Sequence, residues 1–293
     1  TPIKSSAASD VYKRQILSYT SSSGNDGITA SNTTWTSGKI DIGRLLQGFS
    51  AEGSNTVDLG AELGEGFTVL GLERGQYSIE GRVLMIKDVA ISRVTWVSAG
   101  AGGELEETVK NAFTLALGEG SAANVSLGYL NGTLTTSGDK VYQITNTGGT
   151  KINLNGVYNS GETLPSGNLN YRGDIWMDIS GGAFGIISGG VTNEWNTKLQ
   201  TSTLTGDTHV QLSGKATAEH VIGGNNKGAS TTLTGNTNVT VKDNAIVAGA
   251  IIGGSTSAHN SVTTITGNTS VLVTNIQPVS YTHLRAHETR RHL

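Results

Sequence analysis

Three stretches of this chain repeat one another closely: Leu204-Thr-Gly-Asp-Thr-His-Val-Gln-Leu, Leu233-Thr-Gly-Asn-Thr-Asn-Val-Thr-Val and Ile265-Thr-Gly-Asn-Thr-Ser-Val-Leu-Val. Their starts lie 29 and 32 residues apart, and a weaker copy, Tyr171-Arg-Gly-Asp-Ile-Trp-Met-Asp-Ile, precedes the first by 33. A second landmark follows in register: Ile186-Ile-Ser-Gly-Gly, Val221-Ile-Gly-Gly and Ile251-Ile-Gly-Gly. A unit of about 30 residues with two or three short apolar runs cannot bury its own apolar face, so copies must stack on one another into a continuous core. Val210 and Leu212, Val239 and Val241, and Val271 and Val273 alternate with His209 and Gln211, Asn238 and Thr240, and Ser270 and Leu272. That period of two predicts strands with one buried face, the intervening residues facing solvent. The turn before each strand is read as structural: Gly206, Gly235 and Gly267 tolerate positive φ, and Asp207, Asn236 and Asn268 have side chains suited to bonding nearby backbone.

These features predict an all-β chain with a parallel β-solenoid, or β-helix, over residues 168–277. The irregular spacing predicts a variable loop at one corner, such as Asn225 to Ser230 or Ser255 to Asn260. Residues 16–167 form an irregular β-rich region that reads equally as solenoid coils or as a β-sandwich, its short apolar runs separated by Gly-rich turns. Within it Glu104 to Leu117 has helical spacing at Leu105, Val109, Phe113 and Leu117, while Phe113-Thr-Leu-Ala-Leu suits a strand.

The ends have a different character. Ser5 to Gln15 and Val279 to Thr289 resemble, codon by codon, translated adapter DNA from a transposase-based sequencing library. Residues 1–15 and 278–293 are therefore expected to be disordered, adapter-derived tails on a bacterial, metagenomic fragment. Setting them aside leaves 14 Lys and Arg against 21 Asp and Glu, and three of the six histidines. An acidic insert without a basic cluster argues against nucleic acid, whose phosphates need a cationic footprint. The chain has no Cys, which excludes disulfides and thiolate metal sites. Its apolar runs are too short to span a bilayer, so membrane anchoring would come only from flanks outside this sequence.

The Ile-Thr-Gly-Asn-Thr-Ser-Val and Ile-Ile-Gly-Gly phrases, over about residues 171–277, resemble the repeats of bacterial autotransporter-type adhesins. The resemblance implies a β-solenoid passenger secreted to the cell surface or outside the cell, with a signal sequence upstream and an outer-membrane barrel downstream.

Candidate sites are few. Arg172-Gly173-Asp174 spells an integrin-recognition tripeptide, but its Gly and Asp fall on the repeat's own turn. His209, His220 and His259 occupy different repeat offsets, which does not suit a metal ladder. Glu104, Glu106 and Glu107 read as a solvated acidic patch. Asp174 and Asp207 would be stacked neighbours, and a turn role explains both. No catalytic, cofactor or metal residue is assigned, and an enzyme is not expected. The expected role is structural or adhesive, with host glycans, matrix proteins or self-association as partners. The alternative is a carbohydrate-active or carbohydrate-binding β-helix, in which Trp176 and Trp195, with Trp35 and Trp96 upstream, would stack on sugar rings beside a carboxylate pair.

Overall fold

The computed structural model describes residues 91–274 apart from 101, 131–132, 135–136, 160–168, 194–200, 227–229 and 257–261, together with shorter stretches between 30 and 87. Both adapter-like tails, and with them the expectation of disorder there, lie outside the described residues. Every described element is a strand. The chain divides into two units, 1–93 with 111–114, and 94–110 with 115–293.

In the first unit, β1 (Ala30–Ser31) and β2 (Thr34–Trp35) form a hairpin that β5 (Glu62–Leu63) extends, and β3 (Lys39–Asp41) pairs with β6 (Thr68–Leu70). The antiparallel strands β4 (Asn55–Asp58), β8 (Val83–Ile86) and β7 (Tyr77–Glu80) make a third sheet. Residues from β9 (Ile91–Ala99) and β10 (Leu105–Leu117) belong to both units. The stretch with helical spacing is therefore a strand, and Thr108, Thr114 and Val109 show why: β-branched residues favour the extended backbone.

The second unit is a parallel β-solenoid of about four turns. Among the described residues the coils stack in three ladders. The first stacks β16 (Leu169–Arg172), β18 (Thr201–Thr205), β20 (Ser230–Thr234) and β24 (Thr263–Thr266). The second stacks β14 (Lys140–Asn146), the first half of β17 (Ile175–Asn193), the first half of β19 (Thr208–Ile222), β21 (Thr237–Val241) and β25 (Thr269–Val273). The third joins β11 (Asn124–Ser126), β15 (Ile152–Asn159), the second halves of β17 and β19, β22 (Ile246–Val247) and β23 (Ile251–Ile252). A small hairpin of β12 (Tyr129–Leu130) and β13 (Thr133–Leu134) stands apart. The parallel ladder thus continues N-terminal to residue 168 through β15, β14 and β11, which is the solenoid form of the two that the sequence leaves open there.

Register follows the repeats. Val210 pairs with Val239 and Val239 with Val271, all in one inward column that runs back through Met177 to Tyr142. Leu204, Leu233, Leu212 and Ile179 are fully buried in neighbouring columns, each contributing about 1.5–3 kcal/mol by leaving water. Two glycine columns let the coils approach. A Cβ on Gly235 would lie 2.1 Å from the carbonyl oxygen of Gly206, and one on Gly206 would lie 2.2 Å from that of Gly173. At the other corner a Cβ on Gly223 would lie 2.3 Å from the oxygen of Gly253. The Gly-Gly landmarks are therefore a steric requirement of stacking, and Thr208 and Thr237 use the same corner by donating their hydroxyls to Gly223 and Gly253 oxygens, at 2.6 and 2.5 Å. Asn225, assigned from sequence to a variable loop, is fully buried instead. Its Oδ1 accepts from Val191 N at 2.8 Å and its own N donates to Ser255 Oγ, so it closes the corner while the length variation falls after it.

Candidate functional site

Three features of the solenoid surface carry chemistry. The first is a ladder of Asp and Asn at the turn between the first and second faces. Asp139 Oδ1 accepts from Asp174 N at 3.0 Å, Asp174 Oδ1 from Asp207 N at 2.9 Å, Asp207 Oδ1 from Asn236 N at 2.7 Å, and Asn236 Oδ1 from Asn268 N at 3.0 Å. Gly173, Gly206, Gly235 and Gly267, just before these residues, hold φ of 140°, 148°, 147° and 149°. The side chain of each coil therefore bonds the backbone of the next, rather than only its own turn. Burial is the largest influence on Asp174 and holds its carboxyl above the usual range; the Asp207 backbone bond opposes this, Asp139 and Asp207 add to it, and Lys110 opposes it.

The second feature lies on the outer side of the second face, at positions expected to meet water. Gln211 and Thr240 are instead buried, at 3% and 2% exposure, beneath the arm that β9 and β10 form. Gln211 Oε1 accepts from Val97 N at 3.0 Å, while its Nε2 donates to Thr95 O at 3.0 Å and to Asp178 Oδ1 at 2.9 Å. Thr240 donates its hydroxyl to Val97 O. Gln143 Nε2 donates to Asp178 Oδ2 at 3.2 Å. Asp178 is buried, which raises its pKa, while the bonds from Gln211 and Gln143 and the charge of Lys242 pull it back. The single buried face implied by alternation is thus corrected here: the backbone of β9 bonds Gln211 and Thr240 directly, and Asp178 and Gln143 continue the row through side-chain bonds.

Beside this row, Trp96 from the arm meets Trp176 edge to face, with centroids 5.3 Å apart. Trp176 stacks on His209, one coil on, with centroids 3.4 Å apart, and Lys110 Nζ lies 4.2 Å over the Trp176 ring. Burial lowers the His209 pKa to about 4, with Asp207 opposing and Lys110 adding to the shift, so the imidazole is neutral at pH 7. The sequence signal for this cover was the replacement of Thr and Asn by Trp176, Asp178, His209 and Gln211 on the earlier coils; nothing local named the strand that lies on them.

The third feature is the first face. Outward from it project two columns, Asn170, Thr203, Thr232 and Thr264, and Arg172, Thr205, Thr234 and Thr266, each paired in unbroken register. Between them Tyr171, Leu204, Leu233 and Ile265 point inward. Thr205, Thr234, Thr264 and Thr266 are exposed, and Thr203 Oγ1 donates to Asn170 Oδ1 at 2.6 Å.

The other candidates are placed as follows. Gly173 and Asp174 of the Arg-Gly-Asp tripeptide are engaged in the turn ladder. His220 Nδ1 accepts from Ala250 N at 3.0 Å, and neighbouring Glu219 pairs with Lys151 at 2.7 Å, the bond and charge of which lower the Glu219 pKa. Glu104, Glu106 and Glu107 are exposed. His259 and Trp195 lie outside the described residues, as does the side chain of Trp35. Trp96 and Trp176, offered as sugar platforms, are buried against each other. Among the described residues no group of three or more His, Asp and Glu could hold a metal ion.

No family model, curated protein or solved structure matches this chain.

Proposed function

We propose that this β-solenoid is a non-catalytic, surface-displayed scaffold of the autotransporter-passenger kind, with a structural or adhesive role and adapter-derived residues at both ends. The observation that supports the reading is the first face, where aligned Thr side chains repeat from coil to coil with no covering strand among the described residues. Each hydroxyl offers a weak hydrogen bond of about 0.5–1.5 kcal/mol net, so useful affinity requires many contacts at once or many copies on one cell. The carbohydrate-active alternative gains no support from the two placed tryptophans, which are enclosed, or from Asp174 and Asp207, whose Oδ1 atoms hold the next coil.

The test is binding to host glycans and matrix proteins by the chain free in solution and clustered on beads. The proposal expects weak binding by the monomer and a large gain on clustering, lost when Thr205 and Thr234 are both replaced by Lys. Turnover of a polysaccharide, abolished by Asp174→Asn or Asp207→Asn, would overturn it.

A further inference from the structure

The first face has a property beyond being displayed: it is a rigid two-dimensional lattice. Neighbouring coils set Thr203, Thr232 and Thr264 in one column and Thr205, Thr234 and Thr266 in the next, with Cα partners aligned one to one and no shift of register. The third-face ladder of β15 and β17, by contrast, carries shifts. Parallel strands place the rungs about 4.7–4.9 Å apart, and residues two apart along a strand lie about 6.6–6.8 Å apart. Threonine is β-branched and stiff at χ1, so each position presents a methyl and a hydroxyl at a fixed place. Leu204 and Leu233, fully buried between the columns, anchor the strands that carry them.

Charge narrows the partner. The insert is acidic, yet Thr201–Thr205, Ser230–Thr234 and Thr263–Thr266 contain no ionisable residue, and Arg172 at one end is the sole charge on the four strands. An ionic partner finds nothing to pair with over these three rungs. A neutral lattice of hydroxyl groups with matching repeats finds exposed hydroxyls at Thr205, Thr234, Thr264 and Thr266 and half-exposed ones at Thr203 and Thr232. The face repeats in two directions at fixed spacings of about 4.7–4.9 Å and 6.6–6.8 Å, as a crystalline water lattice repeats its oxygens, and the threonine methyls set apolar surface beside each hydroxyl.

We infer that the threonine face formed by Thr203, Thr205, Thr232, Thr234, Thr264 and Thr266 binds ice. The inference rests on the reading of this face as a displayed surface and supplies the partner's chemistry, a crystalline water lattice. Single bonds to water are weak, so adsorption depends on all six positions engaging together, and one bulky side chain at the centre lifts the whole array off a flat crystal plane.

The test uses the full chain in an ice-recrystallisation assay, with crystal shape recorded in a nanolitre osmometer. The wild type is expected to suppress grain growth and facet the crystals. Thr234→Tyr and Thr205→Tyr are expected to abolish both effects while circular dichroism shows an intact β-fold, Thr234→Ser to weaken them, and Lys215→Gln, on another face, to leave them unchanged. Should a Tyr variant not fold, the Ser variant decides, since loss of one methyl leaves the fold intact. A wild-type chain with no more effect than albumin overturns the inference, as does an unaltered Tyr variant or adsorption to crystalline cellulose in place of ice. Clustering-dependent glycan binding without ice activity leaves the proposed function standing and removes this one. Ice activity without glycan or matrix binding does the reverse.

Discussion

Replacing Gln211 with Ala separates the β9–β10 arm from the solenoid at its polar centre. The side chain is 3% exposed and makes three hydrogen bonds: Val97 N to its Oε1 at 3.0 Å, and its Nε2 to Thr95 O at 3.0 Å and to Asp178 Oδ1 at 2.9 Å. Alanine leaves two backbone groups of β9 without their side-chain partner, at about 1–3 kcal/mol for each that water cannot reach. The bond to Asp178 is of the charged kind, about 1.5–3 kcal/mol, and Asp178 retains its bond from Gln143. With water entering part of the gap, the expected loss is about 3–5 kcal/mol, placing this substitution among the most severe a single residue produces. Asn238→Ala, next to it on the same face, removes one acceptor for Ser270 Oγ and is expected to cost about 1 kcal/mol. Urea unfolding gives both values, and hydrogen exchange at the Val97 amide reports the arm directly. A Gln211→Ala protein within about 0.5 kcal/mol of wild type, with Val97 still protected, refutes the docked arm.

Other perturbations probe the packing and the titrating groups. Gly235→Ala forces a Cβ to 2.1 Å from Gly206 O at φ +147° and is expected to cost at least about 2–4 kcal/mol, whereas Gly149→Ala meets nothing within 4 Å; equal melting temperatures for the two would contradict the stacked turn. Val239→Asp buries a carboxylate in the core and Thr240→Asp buries one under Val97, so both are severe, while Thr234→Asp on the open face is mild; thermal melts that leave Thr240→Asp mild would show the outer side of β21 to be uncovered. Acidification from pH 6.5 to 4 protonates His209 in the unfolded chain before the folded one, because its folded pKa is lowered to about 4. Stability is therefore lost as pH falls through that window, by up to about 3 kcal/mol at its lower end. Asp174 and Asp178, whose folded pKa values are raised, hold protons more tightly when folded and oppose part of this loss near the acid end. His209→Phe keeps a ring on Trp176 and should flatten the slope between pH 6.5 and 4.5 in urea melts; a slope equal to wild type would remove His209 as its source.

The solenoid was legible because stacking constrains sequence at every coil. Gly206, Gly235 and Gly267 recur since a Cβ there would strike the preceding coil, and Val210, Val239 and Val271 recur since one column must stay apolar. Coils before residue 168 were ambiguous for the same reason: Asp139 joins the ladder of Asp174 and Asp207, yet Ser137-Gly138-Asp139-Lys140 has little of the later Leu-Thr-Gly-Asn-Thr phrase around it. The outer faces were misjudged where contacts are far apart in sequence. Thr240 bonds Val97 and Gln211 bonds Thr95, partners 143 and 116 positions away, and period-two alternation carries no information about what lies over a strand. The Thr columns were visible as repeated Thr residues, but their alignment depended on register, which the variable spacing of 29 to 33 residues left to the structure.

Register is tested most directly by disulfide trapping, for which a chain without cysteine is well suited. Thr205 and Thr234 are direct partners on adjacent parallel strands, about 4.7–4.9 Å apart and within the Cα range a disulfide tolerates. Thr205 and Thr266 are two rungs apart, about 9–10 Å, beyond that range. The Thr205→Cys, Thr234→Cys double variant is expected to form an intramolecular disulfide under mild oxidation, read by mass and by gel mobility, and the Thr205→Cys, Thr266→Cys variant is not. Equal trapping of both pairs, or trapping of the second alone, would contradict the stacked parallel coils on which everything else depends.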